Sequence, residues 1–303
     1  GLAYRIDAAN LSVGVSANYY IHQLNTIRAR NSDGTDNLDI RDADGNSIGL
    51  LEGRSWVDAS ATNIGLGFGV LWEPVEDELW VGLSYQSQPG FGDTDLDGEL
   101  KNLLSVSDAN SEDVVFRHAL PDIIRLGVRY RLQEDLELRV FGDYTRWSVM
   151  DQQCLAKKGS DLDAQCSVKA DGSAQDPANQ AIQVFNRDWD DTYGVRLGGS
   201  YWTLGTDLEL IAGLGYDSNA VPDETLEPAL QDYDKFTVSL GARYAFTDWI
   251  ALSVTGTNVF YASRDTTDVE TAEGLLVPSR QPSSAGEYSQ NIFLINSGLE
   301  LKF

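Results

Sequence analysis

Charged side chains recur within the apolar segments of this 303-residue chain, where they could bind a charged group or pair with one another. Within residues 124–132, arginines alternate with apolar residues, which directs the arginines to one face of an extended strand. A guanidinium on an enclosed face can bind a carboxylate with two hydrogen bonds. Ion pairs that brace the sheet are the favoured alternative for most of them. The bases on this face are Arg5, Arg125, Arg129, Arg131, Arg139, Arg196 and Arg243, and the acids include Glu137, Asp143, Glu209 and Glu300.

No combination of residues in the sequence predicts a catalytic centre. His22 and His118 are the only histidines, and they lie far apart in the chain. No Gly-x-Ser-x-Gly motif, phosphate-binding loop or cluster of metal ligands occurs. We therefore expect a protein that is not an enzyme.

Two acidic segments imitate the start of a calcium-binding loop. Residues 93–98 (DTDLDG) match the first half of an EF-hand loop, but the twelfth position is Leu104 instead of glutamate. In residues 39–46 the glycine is misplaced. We expect solvated loop charges and no cofactor, with loop-bound calcium as the alternative.

Cys154 and Cys166 lie in one polar segment, without the further ligands that a zinc site requires. In an envelope compartment a local disulfide between them is expected, and two free surface thiols are the alternative.

Apolar residues alternate with small or polar ones along most of the chain, which predicts antiparallel strands with two different faces. The alternation predicts an all-β fold with ten full strands and the end of another at residues 1–6. The full strands lie near residues 11–29, 54–72, 79–97, 113–132, 136–149, 190–204, 208–219, 235–246, 250–265 and 288–303. Pro121 lies inside one of them and predicts a bulge or kink, because proline has no backbone donor.

The connections alternate in length. Short turns fall near residues 7–10, 73–78, 133–135, 205–207 and 247–249, whereas long acidic loops fall near residues 30–53, 98–112, 150–189, 221–234 and 266–287. Short turns at one end and long loops at the other are typical of a bacterial outer-membrane barrel, with a soluble β-sandwich as the alternative. The final strand, with Leu299, Leu301 and Phe303 on one face, resembles the closing strand of such a barrel.

Composition agrees with this interpretation. No run of 18 apolar residues exists that could form a transmembrane helix, and a barrel needs none. The formal net charge of −25 argues against a nucleic-acid partner, whose phosphates require a basic surface.

Several segments, in their order along the chain, resemble the FadL-type long-chain fatty-acid transporters (the OmpP1/FadL/TodX family). They are AYRI at 3–6, LSVG at 11–14, WVGLSYQS at 80–87, LP at 120–121, LGVRY at 126–130, YTRWS at 144–148, GYDS at 215–218, VP at 221–222 and QDYD at 231–234. The resemblance spans nearly the whole chain.

The resemblance implies an antiparallel transmembrane barrel of fourteen strands, plugged by an N-terminal hatch, in the outer membrane of a Gram-negative bacterium. This chain would supply the last ten strands and the end of the fourth, as one barrel domain over residues 1–303, without the hatch and the first three strands. The implied function is passive uptake of long-chain fatty acids or related hydrophobes. Extracellular loops capture the molecule, the lumen binds it, and it leaves sideways into the membrane.

The resemblance also implies binding residues. The family's ligand-binding arginine matches Arg28, which shares its face with Ser12 and His22. The second cationic position falls at Phe185, which departs from the pattern, and Arg187 on the same face is the expected substitute. The capture groove would use Ile48, Leu50 and Leu51 from one loop and Leu100, Leu103, Leu104 and Val106 from the other. Packing of these residues onto the rim is the equal alternative. The acidity of both loops favours a more neutral hydrophobe or a layer of divalent cations.

Further partners follow from the same resemblance. Outer-membrane lipid and lipopolysaccharide would surround the barrel, and the barrel assembly machinery would read the strand that ends in Leu299, Leu301 and Phe303. The alternative function is a hatchless barrel that serves a larger envelope assembly, with another envelope protein as its partner.

Overall fold

The computed structural model describes residues 1–30, 39–50, 53–103, 110–159, 161–203, 205 and 207–302. In chain order the strands are β1 (Leu2–Ile6), β2 (Leu11–Arg30), β3 (Asp39–Arg41), β4 (Ser47–Leu50), β5 (Gly53–Val75), β6 (Leu79–Gln86), β7 (Thr94–Leu103), β8 (Asn110–His118), β9 (Ile123–Gln133), β10 (Leu136–Thr145), β11 (Gln152–Lys157), β12 (Gln183–Asn186), β13 (Thr192–Thr203), β14 (Leu208–Asp217), β15 (Lys235–Thr247), β16 (Ile250–Tyr261), β17 (Arg264–Asp265), β18 (Glu287–Tyr288) and β19 (Asn291–Leu301). Helical segments are α1 (Leu162–Cys166) and 3-10 turns at Asp7–Ala9, Pro89–Phe91, Trp147–Val149, Pro177–Asn179 and Ala272–Gly274.

Fifteen of these strands form one antiparallel sheet. It begins with β1, β2 and β5, and then divides into two tiers. The lower tier continues through β6, β9, β10, β13, β14, β15, β16 and β19, and the upper tier through β7, β8, β11 and β12. In the part of the chain that the structure describes, β1 and β19 each pair with one neighbour.

The two tiers arise because four long strands are interrupted at the same level. The interruptions are residues 87–93, 119–122, 146–151 and 187–191, and each lies between a lower-tier and an upper-tier strand. Pro121 lies in the second interruption, where its missing backbone donor breaks the ladder as the sequence predicts. The predicted strands are thus confirmed, although several of them are divided.

The upper tier corrects the predicted loop boundaries. Strand β7 runs to Leu103 and β8 starts at Asn110, so most of the predicted loop 98–112 is strand. The predicted loop 150–189 contains β11, α1 and β12, and the predicted loop 30–53 contains β3 and β4. The close pairing of β7 with β5 explains in part why the start of the predicted loop 98–112 is a strand. A Cβ atom at Gly98 would lie 2.2 Å from the Asp58 carbonyl oxygen, so the two strands can pair this closely only with glycine at this position.

The outer face of the sheet changes from apolar to charged between the tiers. Lower-tier side chains such as Tyr19, Leu240 and Ile295 are exposed by 67%, 66% and 69%, which suits contact with lipid. On the upper tier, Arg117 Nε donates to Asp95 Oδ1 at 2.6 Å, and this carboxylate raises the pKa of Arg117. At the interrupted strands, charged side chains such as these replace the apolar belt, whereas on the uninterrupted β2 Ile21 and Ile27 remain exposed by 67% and 61%.

A disulfide between Cys154 and Cys166 joins β11 to α1 on the outer face of the upper tier. Both cysteines are buried with Ala156, Ala181 and Val184. The Asp161 side chain caps α1 by accepting hydrogen bonds from the next residues of the helix. This segment therefore covers the upper strands from outside.

Ion pairs cross the inner face of the lower tier. Glu137 is fully buried between Arg129 and Arg139, with N–O distances of 2.6 and 2.5 Å. Arg196 pairs with Asp143 at 2.6 Å, and Arg243 pairs with Glu300 at the same distance. These contacts support the bracing interpretation of the inward arginines.

No helix among the described residues has the length and apolarity that crossing a bilayer would require. At the other end of the chain, Leu299 and Leu301 lie exposed on β19, and Phe303 lies outside the described residues. The assembly-signal role of this ending remains a prediction.

Candidate functional site

An apolar cavity of about 690 Å³ lies inside the upper tier. Its walls come from β2, β5, β7, β8, β11 and β12, and the loop between β14 and β15 contributes Glu227, Ala229 and Leu230. The buried cluster that lines it consists of Val57, Leu96, Leu100, Phe116 and Leu155. A cavity of this size and polarity fits a hydrophobic small molecule.

Two-residue alternation places these side chains. Even-numbered residues of β2 face the cavity, including His22, Leu24 and Arg28, and odd-numbered residues of β5 do the same, including Ser55 and Val57. On β2 the odd-numbered Ile21, Gln23 and Ile27 border the cavity as well. The same rule selects even positions on β7 and β8 and odd positions on β11 and β12. In the upper tier, therefore, the inner face of the sheet carries the apolar residues that line the cavity. In the lower tier, the outer face carries the apolar residues.

Arg187 is the most buried cation of the cavity wall, with 4% of its side chain exposed. Its Nε donates to Gln153 Oε1 at 2.9 Å, and its Nη1 donates to Glu227 Oε2 at 2.8 Å. The guanidinium also lies 5.3 Å from the centre of the Phe185 ring. The positive charge of Arg187 is therefore already balanced by a loop carboxylate.

The structure brings together the three lumen residues that the sequence singled out. Arg28, Phe185 and Arg187 all line this cavity, from β2, from β12 and from the residue that follows β12. Their role in binding a ligand is not tested by this arrangement and stays a prediction.

The structure describes four of the seven predicted capture residues, and these four lie in strands. Leu100 is a wall residue of the cavity with 3% exposure, and Leu103 ends β7, so neither lies in a loop. Ile48 and Leu50 belong to β4. Leu51, Leu104 and Val106 lie outside the described residues. Leu100 is buried because β7 continues past Gly98. The role of these residues in capturing a ligand stays a prediction.

Sequence reasoning missed two features of the site. The two histidines meet on the cavity wall, where the ring centroids of His22 and His118 lie 5.6 Å apart at nearly a right angle. Glu227, the partner of Arg187, comes from a loop that the sequence marks only as acidic. The inward parity of His22 was visible in the sequence, but the strand register that brings His118 beside it was not.

The two acidic segments contribute to strands and a turn in the described structure, and the expectation of no bound calcium stays a prediction. Residues 94–98 belong to β7, where Asp97 pairs with Lys158 at 3.0 Å and Asp95 pairs with Arg117. Asp42 forms a tight turn, and the backbone N–H of Asn46 lowers the pKa of its carboxyl. Among the described residues, no group of three or more histidine, cysteine or acidic side chains is arranged to hold a metal.

Comparisons with known protein sequences and with solved structures all point to one family of outer-membrane transport proteins. A sequence model described as outer membrane protein transport protein (OMPP1/FadL/TodX) matches residues 1–294. A long-chain fatty acid transport protein of Escherichia coli O6:H1 is 23% identical, over 68% of this chain and 43% of the relative. The chain thus spans less than half the length of that relative.

Solved structures resemble the chain in fold. A Pseudomonas aeruginosa FadL homologue has a TM-score of 0.72 at 15% identity, covering 98% of this chain and 66% of that one. The Pseudomonas putida toluene transporter TodX has a TM-score of 0.56 at 15% identity, covering 99% of this chain and 67% of that one. At this identity the likeness concerns the fold, and it confirms the predicted antiparallel transmembrane β-barrel.

Proposed function

The chain belongs to the OMPP1/FadL/TodX family of outer-membrane transport proteins, and from this premise we propose that it forms a channel for passive uptake of hydrophobic molecules. The protein is located in the outer membrane of a Gram-negative bacterium. The proposal covers one barrel domain and a non-enzymatic function, which agrees with the transport role in the names of its relatives.

The apolar cavity is the observation that supports this function best. It lies above the lipid-facing belt, at the end of the barrel that carries the long loops. A hydrophobic molecule that enters from these loops would exchange water for contacts with Leu100, Phe116 and Leu155, and burial of apolar area provides the driving force. Loop capture before this step and lateral release after it belong to the same proposal.

The surroundings of the barrel complete the proposal. Its exposed apolar belt would contact outer-membrane lipid and lipopolysaccharide, and the ending at Leu299 and Leu301 would be read by the barrel assembly machinery. The described residues give no specific support for the alternative of a structural barrel in a larger envelope assembly.

The test compares accumulation of a labelled fatty acid and of a labelled neutral hydrophobe in cells with and without the full-length protein. Faster accumulation of at least one class supports uptake. Equal accumulation of every class in both strains would contradict it.

Replacing Arg28 with alanine is expected to weaken carboxylate binding by about ten- to hundredfold and to spare neutral ligands. A charge-assisted hydrogen bond contributes roughly 1.5–3 kcal/mol, and Arg28 provides such a donor on the cavity wall. Binding of radiolabelled dodecanoate and dodecanamide to the purified protein would measure the effect. Unchanged affinity for both molecules would assign Arg28 a structural role.

A further inference from the structure

The ion pair between Arg187 and Glu227 lies on the wall of the cavity. Arg187 is buried, whereas 30% of the Glu227 side chain is exposed. The Thr225 hydroxyl donates to the Arg187 carbonyl oxygen at 2.6 Å, which holds the loop against this residue. Ala229 and Leu230, just beyond Glu227, line the same cavity. Glu227 therefore brings a carboxylate to the cavity wall from the loop side.

The loop that carries Glu227 is anchored independently of this ion pair. Leu226 is 2% exposed and packs in a cluster with Ala220 and Val221, and Trp147 and Trp189 pack against it. Farther along, Arg264 Nε donates to Asp223 Oδ1 at 2.9 Å. The Glu227 side chain can therefore rotate into solvent without requiring the loop to move.

The carboxylate of Glu227 binds Arg187 in the way that the carboxylate of a fatty acid would bind it. A fatty-acid carboxylate offers Arg187 the same two oxygens that Glu227 offers, and a hydrocarbon chain would extend from them along the apolar wall. Gln153 and Glu227 accept two hydrogen bonds from the guanidinium, which has five N–H donors, but its single positive charge can balance only one of the two carboxylates. An unpaired buried guanidinium is costly, so Glu227 leaves only when another anion replaces it.

We propose that Glu227 is a built-in competitor of anionic ligands, which selects neutral hydrophobic molecules over fatty-acid anions in this cavity. The inference rests on the proposed function and deepens it, because it names the substrate class. A ligand carboxylate must either displace Glu227 from Arg187 or bind against its negative charge, whereas a neutral molecule occupies the apolar wall and leaves the pair intact. Glu227 is thus a specificity-determining residue that acts through Arg187.

The experiment measures the ratio of dodecanoate affinity to dodecanamide affinity by equilibrium binding to the purified full-length protein. The variant Glu227→Gln keeps the shape of the side chain and removes its charge. We expect this ratio to rise by about three- to tenfold, since removal of the competitor frees a charged donor for the ligand carboxylate. Glu224→Gln is the matched control, because Glu224 is exposed in the same loop, and its ratio should equal that of the unaltered protein.

A double variant identifies the site of the effect. In Arg187→Gln the additional change Glu227→Gln should no longer raise the ratio, because the shared cation is absent. An unchanged ratio in Glu227→Gln, or an equal rise in the Arg187→Gln background, would overturn the inference while leaving uptake of hydrophobes intact. If neither dodecanoate nor dodecanamide binds any variant or the unaltered protein, the proposed function itself fails. Barrel folding of each variant is checked by its heat-dependent mobility in gel electrophoresis.

Discussion

Replacing Thr26 with tryptophan is expected to reduce binding of a neutral hydrophobe by about tenfold or more, and its uptake correspondingly. Thr26 lies on the inward face of β2 and lines the cavity, so the indole would occupy space that the ligand needs. A ligand that must compete with this side chain loses more than about 1.4 kcal/mol of binding free energy. Accumulation of labelled dodecanamide in cells would measure the effect.

Thr62→Trp is the matched control for this variant. Thr62 lies on the outer face of β5, where it pairs in register with the exposed Ile21. Tryptophan is well tolerated where a barrel meets the membrane surface, so uptake should be unchanged. Normal uptake in Thr26→Trp, at an equal amount of folded protein in the membrane, would mean that ligands do not pass through this cavity.

Replacing Glu137 with glutamine is expected to lower the free energy of unfolding by about 3 kcal/mol. Glu137 is fully buried and binds both Arg129 and Arg139, so the neutral amide would leave two neighbouring cations without their counterion. Guanidinium unfolding in detergent micelles, followed by tryptophan fluorescence, would measure the change.

Glu300→Gln is the control variant that removes a carboxylate from an exposed ion pair instead of a buried one. Glu300 pairs with Arg243 in the same chemical arrangement, but 45% of its side chain is exposed. Water screens such a pair, so the expected loss is below about 1 kcal/mol. A loss in Glu137→Gln as small as that in Glu300→Gln would show that the buried ion pairs of the lower tier do not brace the barrel.

The fold could be predicted from the sequence because alternation is a local signal. Every full strand predicted between residues 11 and 303 corresponds to a strand or to a pair of strands divided by an interruption. Alternation cannot show where a ladder breaks, however, because residues such as 87–93 continue the polar and apolar composition of their neighbours. For the same reason the sequence predicts a long loop where the structure has the upper-tier strands β11 and β12.

The site could be predicted only in part. Arg28 and Arg187 were found because strand parity gives the inward face and the family resemblance gives the position. The contact of His22 with His118 depends on the register among β2, β5, β7 and β8, which involves pairings distant in sequence. Glu227 lies on an irregular loop, where no periodicity indicates which way a side chain points.

The most direct test of ligand binding in the cavity is the position of a ligand that carries a heavy atom. Crystals of the full-length protein would be soaked with a bromoalkylbenzene, and the bromine would be located by its anomalous scattering. Our account predicts a bromine peak within the cavity bounded by Leu100, Phe116 and Leu155. Bromine peaks found only on the lipid-facing belt or among the outer loops, with none inside this cavity, would contradict it.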